Sequence, residues 1–178
     1  MPQREAKFEV NAPPQEVWRF IRDFESLCSC IPGVERIKLV DDRTAELTVK
    51  EKVGIVPLVL MLTAHIDSEE PPRRLHATAK ADHLTMEIDV SLRGIAAGTE
   101  LLGLLKVKGE GQLKAVVDSL FERRATERTA QFAECIGKRF GAAAPRAEAL
   151  QPAAGEPGYL ARFGRWLRRL WQKLTSAS

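Results

Sequence analysis

The feature that most constrains the fold is a long helical segment that follows a series of alternating strands. Residues 110–140 hold few helix breakers and predict one helix, whose apolar stripe is bulky at both ends and small at its centre, at Ala125 and Thr129. Laid over a concave sheet, such a helix leaves unfilled volume beneath its centre. Because protein interiors are close-packed, that volume needs an occupant or costs stability, unless large side chains of the sheet fill it.

The residues before this helix predict a sheet with two short helices near its start. Residues 4–12 alternate as a half-buried strand, the Pro-Pro pair that follows suits the first turn of a helix, and residues 24–31 predict a second short helix. Residues 34–108 alternate between turn signals and predict about five or six antiparallel strands. Residues 55–62 are apolar on both faces, so this strand is either covered twice or partly exposed to an apolar partner. The predicted fold class is α+β.

Short motifs recur in a fixed order through residues 5–140. They are the stretch Phe8 to Trp18, Asp23, Cys30-Ile31-Pro32-Gly33-Val34, Glu70-Pro71-Pro72-Arg73-Arg74, Gly98-Thr99-Glu100-Leu101 and Lys108-Gly109-Glu110-Gly111. In this order and spacing the chain resembles the START-like (SRPBCC) superfamily and, more narrowly, the CoxG family, the G-subunit family of carbon monoxide dehydrogenase. The chain departs from the family at residues 75–80, where relatives often carry a glycine-rich strand.

The resemblance implies a helix-grip fold of the START and Bet v 1-like kind. In that fold a curved antiparallel sheet wraps around a long C-terminal helix and encloses a hydrophobic cavity. Family members accompany molybdenum hydroxylases of the carbon monoxide dehydrogenase type and are linked with membrane recruitment of the enzyme and with quinone or lipid handling. For this chain the resemblance implies a non-catalytic binding protein, with a quinone or another lipid as ligand and no tightly bound cofactor.

The candidate ligand-binding residues are apolar or small side chains expected on the inward faces of the helices and strands. Each of them is also a candidate for ordinary core packing, so the ligand interpretation depends on the family fold. They are Phe20, Leu27, Ile31, Leu60, Leu62, Met86, Ile88, Leu105, Val117, Phe121, Ala125, Thr129 and Phe132.

The C-terminal part of the chain predicts a separate amphipathic helix on a tether. The domain at residues 1–140 is followed by an Ala/Pro/Gly linker at 141–158 and by a segment at 159–178 that has basic but no acidic residues. Such a helix suits a membrane surface, while a groove on a partner enzyme and packing against its own domain are the alternatives. The candidate membrane-binding residues are Tyr159, Leu160, Arg162, Phe163, Arg165, Trp166, Leu167, Arg168, Arg169, Leu170, Trp171, Lys173 and Leu174.

Charge and cysteine content narrow the partners and the compartment. Residues 1–140 hold 21 Lys and Arg against 22 Asp and Glu, a near-neutral balance that argues against nucleic-acid binding. The three cysteines have no disulfide-like or zinc-like spacing and predict reduced thiols. We find no signal-peptide pattern and no apolar run of about 18 residues. We therefore expect a cytoplasmic protein, peripheral on the inner face of the cell membrane.

Catalysis and metal binding have weak support in the sequence. His65, His76 and His83 lack metal-ligand spacing, and no nucleophile elbow or phosphate-binding loop is present. Glu87 and Asp89 share a strand face that we expect to point to water. Two alternatives to a ligand carrier remain: a membrane-anchoring adaptor without ligand, and a cyclase- or hydrolase-like enzyme, which would need Glu87 and Asp89 inside the cavity.

Overall fold

The computed structural model describes residues 2–53 and 55–141 of the chain, and in them it contains seven strands and three helices. All of the strands belong to one antiparallel sheet with the order β1-β7-β6-β5-β4-β3-β2. The elements in chain order are β1 (Gln3–Val10), α1 (Pro14–Arg22), α2 (Phe24–Ser29), β2 (Val34–Leu39), β3 (Thr44–Val53), β4 (Val56–Glu70), β5 (Arg74–Ala81), β6 (Leu84–Ile95), β7 (Gly98–Gly109) and α3 (Gln112–Phe140).

The sheet is a meander from β2 to β7, to which β1 adds an edge beside β7. This open, curved sheet with a long C-terminal helix confirms the predicted α+β helix-grip fold. The alternation of each strand gives the sheet an inner face, which we define as the face toward α3, and an outer face on the opposite side. Phe8 of β1 marks the inner face, because its ring lies 5.4 Å from the ring of Phe132 on α3.

Two clusters of buried side chains lie on the inner face. The first joins β1, α1 and the C-terminal half of α3, and it includes Trp18, Phe20 and Ile136. The second lies on strands β3 to β7, is centred on Leu62 and Val107, and has the N-terminal half of α3 packed against it. The fold therefore buries most of its apolar surface at the two ends of α3.

The short helices owe their positions to local signals. Pro14 begins α1, where its missing N–H would have no intrahelical partner. The carboxylate of Asp23 caps α2 by accepting hydrogen bonds from the backbone N–H groups of Glu25 and Ser26, at 2.9 and 3.2 Å. The guanidinium of Arg22 donates to the carboxylate of Glu69 at 2.7 Å, which holds the end of α1 against the end of β4.

The cysteines differ from the prediction. Cys30, at the end of α2, forms a disulfide with Cys135 of α3, so the expectation of three reduced thiols is wrong. The two residues are 105 positions apart in sequence, and the fold brings their Cα atoms to 5.4 Å. Cys28 is the free cysteine of the described residues, and its burial raises the pKa of its thiol to about 11. Spacing rules judge pairs that are near each other in sequence, so they have no signal for a pair made by tertiary contact.

Candidate ligand-binding space between the sheet and α3

The candidate site lies between the middle of α3 and the middle of the inner face. Helix α3 approaches the sheet most closely at β7 and β1, on one side. Met86 and Ile88 of β6 and Leu105 of β7 stay partly exposed, although they lie in central strands on the face toward the helix. Residues in such positions are normally covered completely, so surface is left uncovered between the two core clusters.

The helix presents small and apolar groups to this region. Ala125 and Thr129, at the midpoint of α3, are partly buried. The hydroxyl of Thr129 donates to the backbone carbonyl of Ala125 at 2.7 Å, so its hydrogen-bonding capacity is used within the helix. What remains of Thr129 for a neighbour is its methyl group, and the helix midpoint is therefore apolar in character.

The predicted ligand-binding residues fall into three groups. Phe20 and Leu62 are buried in the two core clusters and offer little surface to a ligand, while Ile31 is exposed after the end of α2. The others are partly buried on α2, α3 or the inner face, and this group consists of Leu27, Leu60, Met86, Ile88, Leu105, Val117, Phe121, Ala125, Thr129 and Phe132.

An ion pair that sequence reasoning missed joins α3 to the sheet beside this region. Arg128 contacts both the carboxylate of Glu51 on β3 and the backbone carbonyl of Pro32, and both charged side chains are largely buried. The signal was present, because Arg128 lies three residues after Ala125 and four before Phe132, on the arc that faces the sheet. A charged residue on that arc needs a partner, and the β3–β4 hairpin supplies it.

The Pro32-Gly33 turn fits closely against this ion pair. Gly33 has a φ of +90°, and a Cβ added to it would lie 2.8 Å from the carbonyl oxygen of Lys50 and 3.1 Å from Nη1 of Arg128. The carbonyl of Gly33 accepts a hydrogen bond from the N–H of Lys50 at 2.8 Å. Glycine is therefore required where this turn, β3 and α3 meet.

A second arginine reaches α3 from the β1 edge of the sheet. Arg4 alternates with Ala6 and Phe8 on the inner face of β1, and its guanidinium donates to the hydroxyl of Thr126 at 3.3 Å. Its Nε atom is buried and has no hydrogen-bond partner within the part of the chain that the structure describes. A buried donor of this kind suits an acceptor on a bound molecule.

The carboxylates that an enzyme would need lie on the outer face. Asp89 Oδ1 is 2.7 Å from Nδ1 of His76, and Glu87 lies 3.7 Å from Nζ of Lys106, with about 46% and 39% of their side-chain surfaces exposed. The hypothesis of an enzyme that uses Glu87 and Asp89 inside the cavity is therefore wrong. Among residues 2–53 and 55–141, no group of His, Cys, Asp and Glu has the arrangement of a metal site.

A groove of about 490 Å³ also lies on the outer face, away from the predicted ligand space. Leu102 and Leu104 of β7 lie at its centre, and the charged side chains of Glu70, Arg74 and Asp89 surround them. The groove exists because β7 is apolar on both faces in this stretch. Its mixed lining distinguishes it from the apolar region under α3.

Residues 142–178 lie outside the described residues, and with them the predicted linker and the predicted membrane-binding residues of 159–178. No helix among the described residues is long and apolar enough to span a bilayer.

The comparisons with known proteins agree with this architecture. A conserved protein from Geobacillus kaustophilus is 17% identical with a TM-score of 0.66, covering 79% of this chain and 95% of that one. A START superfamily protein from Mycobacterium smegmatis is 14% identical with a TM-score of 0.62, covering 78% and 97%. A protein from Thermus thermophilus is 17% identical with a TM-score of 0.60, covering 78% and 97%. The comparison with curated proteins found no match.

The solved structures have low identities and show the fold. The family is shown by sequence, because the family model for CoxG, the G-subunit of carbon monoxide dehydrogenase, matches residues 6–141, which is most of the chain. This chain therefore belongs to the CoxG family of carbon monoxide dehydrogenase.

Proposed function

We propose that this protein binds a hydrophobic small molecule, a quinone or another lipid, between α3 and the inner face of the sheet. The observation that carries the proposal is the uncovered apolar surface of Met86, Ile88 and Leu105 beneath the small centre of α3. Covering that surface with an apolar molecule removes it from water, which is favourable in proportion to the area covered. The START-like fold and the CoxG family support the same kind of ligand.

A quinone also offers groups for the polar side chain beside this region. The buried Nε of Arg4 is a hydrogen-bond donor without a partner among the described residues, and a quinone carbonyl is an acceptor. In this proposal the head of the ligand lies toward β1 and Arg4, and its apolar part lies along the midpoint of α3. A lipid with a carbonyl or carboxylate head would meet the same donor.

The accessory role follows from family membership and from the sequence of the C-terminal segment. We propose that residues 159–178 bind the inner face of the cell membrane, and that the protein supports a molybdenum hydroxylase of the carbon monoxide dehydrogenase type there. The segment combines Trp166 and Trp171 with basic residues and has no acid, which suits an anionic membrane surface. Quinone delivery and recruitment of the enzyme are the two ways in which it would provide that support.

The ligand proposal is tested by filling the space with a side chain. In the full chain, Ala125→Phe puts a ring at the midpoint of α3, and Ala130→Phe puts the same ring on an exposed position as a control. We expect the native chain and Ala130→Phe to bind a short-chain ubiquinone in calorimetry, and Ala125→Phe to lose about tenfold or more in affinity. Thermal unfolding checks that both variants fold.

Two results would contradict the ligand proposal. One is the absence both of bound hydrophobic molecules in an organic extract of the purified protein and of quinone binding in calorimetry. The other is a strongly destabilised Ala125→Phe variant, because overpacking a filled core costs stability whereas filling an open space does not. Either result favours the adaptor that anchors a partner and carries no ligand.

A further inference from the structure

The hairpin formed by β3 and β4 exposes large apolar side chains at its tip. Ile55, in the turn, is 99% exposed, and Val59 and Met61 on β4 are 55% and 76% exposed. Exposed aliphatic residues that are neighbours in a hairpin indicate an interaction surface, since scattered single ones would need no explanation.

The outer face of this hairpin is basic as well as apolar. Lys50 lies opposite Val59 and Lys52 lies opposite Pro57, so the two lysines flank the exposed residues. Among the described residues of the hairpin, no acidic one lies on this face between Thr48 and Met61. Lys50 has Glu35 of β2 at 3.4 Å, and both of these side chains remain about half exposed, so the ammonium stays accessible to an anion. An apolar tip between lysines matches the chemistry of an anionic lipid surface.

The inner face of the same hairpin borders the proposed ligand space. Val49 and Leu60 pack against the second core cluster together with Val117 and Phe121 of α3. The Arg128–Glu51 ion pair connects the hairpin to α3 at the same level. The hairpin and α3 therefore form two sides of one opening, and the exposed tip lies at that opening.

We propose that the β3–β4 hairpin inserts its tip into an anionic bilayer surface and opens the ligand space toward the lipid. The proposal rests on the proposed function, because a ligand that is insoluble in water must pass between bilayer and protein without crossing solvent. A hairpin that is apolar outside and lines the ligand space inside meets that requirement. It provides a membrane contact on the domain itself, in addition to the one proposed for residues 159–178.

The test places a fluorophore at the tip of the hairpin. Ile55→Cys in the full chain is labelled with an environment-sensitive nitrobenzoxadiazole dye, and Val40→Cys is the control. Val40 is 54% exposed and follows β2, at the opposite end of β3 and on the order of 30 Å from the tip. Cys28 is buried with a raised thiol pKa and the other two cysteines are bonded, so the introduced thiol reacts selectively.

The labelled proteins are mixed with vesicles made of equal parts phosphatidylcholine and phosphatidylglycerol. We expect the dye at position 55 to shift to the blue and to be quenched by spin-labelled lipids, and the dye at position 40 to do neither. Ile55→Gln combined with Met61→Gln is expected to slow quinone transfer from vesicles to protein severalfold, with unchanged affinity for a water-soluble quinone. Val40→Gln is the matched control for this variant.

The outcomes separate this proposal from the proposed function. If the chain sediments with vesicles while the dye at position 55 stays in water, the hairpin proposal is overturned and membrane association stands. If the chain does not sediment with vesicles, both the hairpin proposal and the membrane part of the proposed function fail. A blue shift that needs no vesicles and grows with protein concentration assigns the tip to contact with a second copy of the chain, which also overturns the proposal.

Discussion

At the scale of single residues, the Gly98-Thr99-Glu100-Leu101 motif has a structural role. The fully buried hydroxyl of Thr99 donates to the carbonyl of Ala12 at 2.7 Å, which ties the start of β7 to the turn before α1. The carboxylate of Glu100 is buried and pairs with Lys7 and Arg93, both at 2.8 Å. The motif thus joins β1, β6 and β7 where the sheet has its N-terminal edge.

Gly98 is the position in this motif where a side chain is least tolerated. Its φ is +147°, and a Cβ would lie 2.1 Å from the carbonyl oxygen of Val10. We expect Gly98→Ala to lower the free energy of unfolding by about 2 kcal/mol or more in urea titrations. Gly94→Ala on the adjacent strand is the control, because its Cβ would meet Pro14 at an ordinary 3.6 Å. Equal stabilities of the two variants would contradict the close approach.

The Glu100 pairing predicts a specific pH dependence. The side-chain hydrogen bond from Lys7, together with the charge of Arg93, holds the pKa of Glu100 below its usual range. A lowered pKa in the folded state contributes stability above the unfolded pKa of about 4.3, and this contribution is lost as the pH falls through the folded value. We expect Glu100→Gln to lower the free energy of unfolding by about 1 to 3 kcal/mol at neutral pH.

The loss caused by Glu100→Gln should shrink when unfolding is measured at progressively lower pH in the acid range. Glu110→Gln is a suitable control, because the pKa of Glu110 is also lowered, by Lys108, but both groups are exposed to solvent. We expect the control to have a much smaller effect on stability. A loss for Glu100→Gln that does not change with pH would show that packing, and not charge, makes the contribution.

At the scale of elements, α3 is attached to the rest of the fold at two points besides its apolar contacts. The Arg128–Glu51 pair attaches its middle to the β3–β4 hairpin, and the Cys30–Cys135 disulfide attaches its C-terminal half to the end of α2. Both attachments join residues that are far apart in sequence, so each restricts how far the sheet and α3 can separate.

The ion pair is expected to limit opening of the hairpin. Breaking it with Glu51→Gln should speed amide hydrogen exchange in β3 and the start of β4, because the hairpin loses its link to α3. A double-mutant cycle with Arg128→Gln should give a coupling of about 1 kcal/mol. The solvent-exposed Lys114–Asp118 pair of α3 is the control and should give a weaker coupling. A coupling indistinguishable from that of the control would contradict the role of the pair.

The disulfide is expected to be a major source of stability. It closes a loop of 105 residues, and in the chain-entropy picture a loop of this length contributes about 4 to 5 kcal/mol. Cys30→Ala combined with Cys135→Ala should therefore lower the free energy of unfolding far more than Cys28→Ala, which removes a buried thiol and no link. Thiol titration of the denatured protein should find one thiol before reduction and three after it. Three thiols before reduction would contradict the disulfide.

At the scale of the whole molecule, charge is divided unequally along the chain. Residues 1–140 carry a net charge of −1, while residues 141–178 hold six basic and two acidic residues and carry +4. Electrostatic attraction to a membrane should therefore depend mainly on the C-terminal segment. Such attraction is screened when the Debye length falls to about 3 Å at 1 M salt.

This division predicts salt-sensitive membrane binding. We expect the full chain to co-sediment with phosphatidylglycerol-containing vesicles at low salt and much less at 1 M salt. Replacing Arg165, Arg168 and Arg169 together with glutamine should have the same effect as high salt. The triple replacement Arg73→Gln, Arg74→Gln and Arg93→Gln in the domain is the charge-matched control. Binding that responds equally to both sets would contradict a dominant role of the C-terminal segment.

The sequence by itself determined the elements and their order. Local periodicity was sufficient to predict α3, the two short helices and the strands, because each pattern lies within a few neighbouring residues. The inner and outer faces of β6 were also predictable, since Met86, Ile88 and Val90 alternate with polar residues. The family motifs then added the helix-grip arrangement, which the seven-stranded sheet confirms.

Only the tertiary structure decided which distant residues meet. It paired Cys30 with Cys135, placed Glu51 beside Arg128, and determined that Val59 and Met61 on the doubly apolar β4 are exposed. None of these follows from periodicity, because a repeating pattern states which way a side chain points relative to its own element and does not state what the fold brings opposite it.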